Sequence, residues 1–241
     1  MVGVQYDAAP DSIRRAVRKL GGNDIAKHTT RSIIPGSTGE FNYLAQTEKE
    51  IRTIETLARA KNYKVNLASG IHANEESVKS LSLAARENGK PDVVNTPAIL
   101  HIATHGYFFP DRPSGISSTG SGGMRVFRNS GNPLIRSGLA LAGANNAWAG
   151  KPVEGVEDGI LTAYEVSNMY LPNTQLAVLS ACETGLGNVQ GSGGVYGLQR
   201  AFRMAAVENL VMKRRNSCRN FIGTCLQNKP STSHLILRNN S

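Results

Sequence analysis

The chain has 241 residues, 40% hydrophobic and 19% charged, enough for one sizeable core, and no window approaches the roughly 20 apolar residues of a membrane span. Its net charge of +9 is unevenly placed, since six basic residues and no acidic one lie from Lys213 onward, which leaves +3 for the rest. A body so modestly basic, without aromatics interleaved among its cations, argues against a nucleic-acid groove. Cys182, Cys218 and Cys225 are too few for a disulfide framework or a four-ligand zinc site, and MVGVQYDAAPDSIRR lacks a signal peptide's apolar run, so a reducing, cytoplasmic address is expected.

In chain order, Val2 to Tyr6 reads as a short first strand, which the start at Met1 is expected to trim. A helix is predicted from Thr47 to Arg59, where Ile51, Ile54, Leu57 and Ala58 recur at helical spacing. Thr47 is read as its cap, with Glu48 and Glu50 in the first turn, where the helix dipole favours negative charge. Tyr63 to Ala68 alternates like a strand, and Glu75 to Ala85 reads as a helix through Val78, Leu81 and Ala85. Ala98 to Gly106 is a nearly continuous apolar run closing on Thr104, His105 and Gly106, the pattern of a buried parallel strand ending at a functional edge. Residues 110 to 133, rich in Gly, Ser, Pro and Arg, read as a long mobile loop. A short helix is expected within Asp158 to Met169, a second buried strand at Thr174 to Cys182, and a helix at about Val195 to Ala206. Strands alternating with helices predict an α/β fold with a mainly parallel sheet.

In such sheets ligands sit beyond the carboxyl ends of the strands, which draws attention to His105 and Cys182. On neighbouring strands, about 4.8 Å apart, an imidazole and a thiol could converge on one carbonyl. Cys182 would attack, His105 would move the proton, and the backbone N–H groups of Gly106 and Cys182 would receive the oxyanion. Glu183, next to the nucleophile, disfavours thiolate, so attack assisted by substrate binding is expected rather than a preformed ion pair. His101 and His105 lie about 13 Å apart along a strand, too far to share a metal, and His101 reads as a core residue or a support for His105. His28, His72 and His234 sit in polar surroundings and read as exposed. Gly185, Gly187, Gly191, Gly193 and Gly194 match no dinucleotide fingerprint and read as flexibility around the cysteine. Asp158 has two readings, a cap for the following helix or, with Glu183, one wall of a pocket for a basic side chain, and Glu154 and Glu157 share that ambiguity.

The strings LAQTEKEIRTIETL, HIATHGYF, SGLALAGANNAW, EDGILTAYEVSNMYLPNTQLAVLSACETGLG and GSGGVYGLQRAFRMAAVENLVM resemble CHAT domains in order and spacing over residues 40 to 212. The resemblance implies the three-layer caspase–haemoglobinase fold of the separase and gingipain group, with His105 and Cys182 as a catalytic dyad. It also implies a cysteine endopeptidase acting on a protein substrate, needing no cofactor or metal, with a tetratricopeptide-repeat region as partner. The rival readings are a catalytically idle interaction module of the same fold, or an inactive truncated fragment.

Beyond Met212 the resemblance stops. Lys213-Arg-Arg-Asn-Ser-Cys-Arg interrupts the apolar run, and residues 213 to 241 read as a basic tail of low order and a frameshift product, leaving residues 1 to 212 as the domain and its sheet incomplete at the C-terminus. Nucleic-acid binding by that tail is the weakest alternative.

Overall fold

A computed structural model describes residues 1–20, 40–82, 96–109, 124–182 and 193–212. Its chain order is β1 (Val2–Val4), α1 (Pro10–Arg18), α2 (Ala45–Ala60), β2 (Ser69–Gly70), α3 (Glu75–Lys79), β3 (Ile99–Phe108), α4 (Met124–Asn129), β4 (Ser137–Ala140), α5 (Ala144–Trp148), β5 (Ile160–Thr162), α6 (Ala163–Ser167), β6 (Leu176–Cys182), α7 (Gly193–Met204) and β7 (Asn209–Met212). No helix among the described residues is long and apolar enough to cross a membrane.

The main sheet has the order β5-β4-β3-β6-β7. The two apolar runs, β3 and β6, pair in parallel from Ile99↔Leu176 to His105↔Cys182, and β7 continues in parallel beside β6. On its other side β3 pairs antiparallel with β4, which pairs antiparallel with β5, so the expected mainly parallel sheet is instead mixed. The reason lies at residues 106–108. β3 runs three residues past His105, and Gly106, Tyr107 and Phe108 form the ladder with β4. Gly138 permits that approach, since a Cβ there would lie 2.6 Å from the Leu161 carbonyl oxygen and 2.7 Å from the Tyr107 ring. β1 and β2 form a separate parallel pair, tied to β3 through Met1, whose carbonyl accepts from Ala103 N–H at 3.1 Å.

Burial follows the strand alternation. Leu100, Ile102, Ala177 and Leu179 face Val166 of α6 and Leu198, Ala201 and Phe202 of α7, in the largest apolar cluster. On the opposite face, Ile99, Leu176 and Val178 meet Ile54 and Ala58 of α2, and Ala103 meets Ile51. A third cluster, around Trp148, Tyr107 and Phe127, fills the space beside the antiparallel strands.

Several expected boundaries move. α2 starts at Ala45, so Thr47 lies inside it, buried, with its hydroxyl donating to the Leu44 carbonyl at 2.6 Å rather than capping. Residues 63–68 run without a ladder, and the strand is Ser69–Gly70. α3 is a single short turn, capped by Asn74 and followed by a 3₁₀ turn over Ser80–Ser82. Residues 124–129, expected within a mobile loop, form α4 around the fully buried Phe127. The region 158–169 contains a strand before its helix, because Ile160 and Leu161 are core residues of β5. The tail from residue 213 lies outside the described residues.

Candidate functional site

β3 and β6 bring together the two residues singled out from the sequence, His105 and Cys182, as Cα partners at the last step of the parallel ladder. The side chain of Cys182, and all of Glu183, lie outside the described residues. His105 is 5% exposed, and its Nε2 lies 2.8 Å from the carbonyl oxygen of Asn42, in the chain just before α2. A carbonyl only accepts, so in the neutral ring Nε2 carries the hydrogen and Nδ1 is the basic nitrogen. The rings of Tyr6 and Phe41 flank the imidazole, with centroids 5.2 and 5.5 Å away.

Gly106 follows directly. Ala103 N–H donates toward Met1 and Phe109 N–H toward the Arg136 carbonyl, so the odd-numbered amides of β3 point away from β6. By alternation, the Gly106 N–H is directed to the β6 side, next to Cys182.

Asp158 is half-buried, and its Oδ1 accepts from the Ile160 N–H at 2.8 Å, which turns the chain into β5. It is not the cap of the following helix. Thr162 fills that role through a capping box with Glu165: Thr162 Oγ1 accepts the Glu165 N–H at 3.2 Å, and Glu165 Oε2 accepts the Thr162 N–H at 2.9 Å. Glu154 is exposed and uses its backbone carbonyl to receive Arg14.

Glu157 belongs to a cluster that sequence reasoning missed. The Lys79 ammonium lies 2.8 Å from Glu75, 2.9 Å from Glu157 and 3.3 Å from Glu165, and it is largely buried, as are the three carboxylates. Burial alone would lower the Lys79 pKa, but the three anions, Glu75 foremost, hold it above the ordinary lysine value. Glu75 is held well above the usual carboxylate range by burial first and then by Glu165 and Asp158, with Lys79 opposing. The carboxylate oxygens come within 4.8 Å of one another, close enough to hold a metal, but the chain's own ammonium occupies that position. Glu75 Oε2 also accepts from the Gly159 N–H at 3.0 Å, and Glu76 Oε1 from the Glu157 N–H at 2.8 Å, so the cluster fastens α3 to the turn before β5.

The model of the CHAT domain family matches residues 15–216, most of the chain and every element from α2 to β7. The chain belongs to the CHAT domain family. Neither the curated proteins nor the solved structures contain a match. The family is one of caspase-like peptidases, and the two segments that bear His105 and Cys182 both lie within the matched range.

The CHAT domain supports its two central strands with further polar residues. Glu50 of α2 lies buried on the sheet, where Oε2 accepts from Ser180 Oγ at 3.1 Å and Oε1 lies 3.4 Å from His101 Nε2. Burial pushes the His101 imidazole below its ordinary value, with Glu50 opposing, so the ring is neutral at neutral pH. His101 is thus a core residue, as its place on a strand indicates. The cue for Glu50 is its position: one turn before Ile54 and two before Ala58, it lies on α2's apolar stripe. Nothing in the sequence marks Lys79, whose partners lie up to 86 residues away.

Proposed function

We propose that the CHAT domain is a cysteine endopeptidase in which Cys182 is the nucleophile and His105 the general base and acid. The observation that carries this reading is the register His105↔Cys182, which sets the two positions one strand spacing apart, about 4.8 Å, where registered neighbours share a face of the pleat. The finer architecture, a three-layer caspase–haemoglobinase sandwich, belongs to the same proposal.

The Cys182 sulfur attacks the scissile carbonyl carbon while Nδ1 of His105 accepts the thiol proton. Asn42, by accepting from Nε2–H, keeps Nδ1 free of hydrogen and basic, and stabilises the imidazolium that forms. The negative oxygen of the tetrahedral intermediate is assigned to the backbone N–H groups of Gly106 and Cys182, which must leave the terminal rungs of the β3–β6 ladder to receive it. Collapse breaks the C–N bond as His105 returns its proton to the leaving amine, leaving an acyl group on sulfur. Water then attacks that thioester, with His105 taking its proton, and releases the acid and the free thiol. Asp158 and Glu183 are proposed to favour a basic residue before the cleaved bond, and the substrate is a protein.

The test uses the full chain and a pool of peptidyl acyloxymethyl ketones that differ in the residue next to the warhead, with the labelled cysteine located by mass spectrometry. Labelling at Cys182, lost in Cys182→Ala and slowed about 100-fold in His105→Ala, is the expected result. Labelling that persists in Cys182→Ala, or is indifferent to His105, favours an idle docking module instead.

A further inference from the structure

We propose that Asn145 is a positioning residue for His105, acting through the Phe41–Asn42 segment. The proposal rests on the peptidase reading for its functional consequence, but its geometry stands without it.

The carbonyl that orients His105 belongs to Asn42, in a stretch, residues 40–44, that joins no strand or helix. Something else must fix that carbonyl. Asn145, in the first turn of α5 and 7% exposed, presents its amide edge-on to the Phe41 backbone. Its Oδ1 accepts from the Phe41 N–H at 2.8 Å, and its Nδ2 donates to the Phe41 carbonyl at 3.1 Å. A side-chain amide thus makes the pair of bonds that a neighbouring strand would make. The second hydrogen of Nδ2 goes to Asp7 Oδ1 at 2.6 Å, which fixes the amide's orientation. The backbone N–H of Asn145 donates to the Tyr6 carbonyl at 3.2 Å. One residue therefore holds the two aromatic neighbours of the imidazole, Tyr6 and Phe41, and the segment whose next carbonyl sets its tautomer. Phe41 is further seated on Trp148, from the same α5, at a centroid distance of 4.9 Å.

The consequence is specific. Without the Asn145 amide, Phe41 keeps its apolar seat, but the Asn42 carbonyl is no longer aimed at Nε2. The ring is then free to carry its hydrogen on Nδ1, the tautomer that cannot act as base toward Cys182. This is distinct from a loss of stability, because it changes which nitrogen is protonated in the folded protein.

The experiment takes the full chain with 15N-labelled histidine rings and reads the His105 tautomer by two-bond nitrogen–proton correlation, assigned by its loss in His105→Ala, in parallel with the rate of Cys182 labelling by the acyloxymethyl ketone pool from pH 6 to 8.5. The wild-type ring is expected as one Nε2–H tautomer, whereas Asn145→Ala gives a mixture and labels about 10- to 100-fold more slowly across the range. Asn145→Asp, which keeps the acceptor for Phe41 N–H but cannot donate to Phe41, is a second variant expected to change in the same direction. Adding Asp7→Asn to it relieves the new repulsion and is expected to recover part of the loss. A folded Asn145→Ala or Asn145→Asp variant with a single Nε2–H tautomer and wild-type labelling overturns the proposal, as does a mixed tautomer in the wild type. If His105→Ala labels as fast as wild type, the peptidase reading fails, while the tautomer measurement still decides whether Asn145 positions the ring.

Discussion

Replacing Lys79 by methionine would remove the cation at the centre of the buried carboxylate cluster while keeping most of its volume. In the wild type one ammonium lies 2.8 to 3.3 Å from three carboxylates, none of whose side chains is more than 14% exposed. Their oxygens come within 4.8 Å of one another, so at an effective dielectric of about 20 two ionised neighbours repel by about 3–4 kcal/mol. Protonation limits that repulsion, and the expected loss at pH 8 is about 3–5 kcal/mol, the range for breaking a buried pair, or a fall in melting temperature on the order of 10 °C. Glu75 is already held well above the usual carboxylate range by burial, with Lys79 opposing that shift, so removing Lys79 raises it further. A raised carboxyl contributes stability that is fully present below its unfolded pKa, about 4.3, and lost as pH rises through the folded value. Lys79, raised above the ordinary lysine value, contributes a stability that is constant between pH 5 and 8. The gap between wild type and Lys79→Met should therefore narrow from pH 8 to pH 5, by about 1.4 kcal/mol per pH unit for each extra proton bound by the folded variant. Thermal melts followed by circular dichroism at both pH values measure it. A gap that is constant, or wider at pH 5, refutes the reasoning.

Two further variants probe the supports of the sheet. Glu50→Ala should lose about 2–4 kcal/mol, from the void and the unpaired Ser180 hydroxyl, whereas Glu50→Gln, which can still accept from Ser180, should stay within about 1 kcal/mol of wild type in urea unfolding. Gly159→Ala should cost about 2–4 kcal/mol in the same assay, because Gly159 has φ +78° and a Cβ there would lie 2.7 Å from the Ala142 carbonyl oxygen.

The sequence made the two central strands legible because β3 and β6 are buried on both faces and read as unbroken apolar runs. The helices α2 and α7 were legible for the same kind of reason, each showing an apolar stripe at helical spacing. Adjacency of His105 and Cys182 was not legible, since register is a tertiary property that no local pattern encodes. β5 was missed because Ile160-Leu161-Thr162 is three residues long and merges with the periodicity of α6, and α4 because its one anchoring residue, Phe127, makes no period. The antiparallel arm was hidden by its brevity, with only Gly106 to Phe108 joining β4. Asn145 lay inside a string that the family resemblance quoted, but an asparagine that imitates a strand edge looks in sequence like any other turn residue.

β3 is gripped along both edges, by β6 up to His105 and by β4 immediately after it, whereas residues 180–182 of β6 have registered partners among the described residues only in β3. A strand clamped on both sides cannot slide by one step without breaking two ladders of opposite polarity at once. β6 is held likewise between β3 and β7 over residues 176–179, so only its last three residues, ending on the cysteine, take their alignment from the histidine's strand alone. The alignment of cysteine with histidine thus depends on the one ladder that their two strands share.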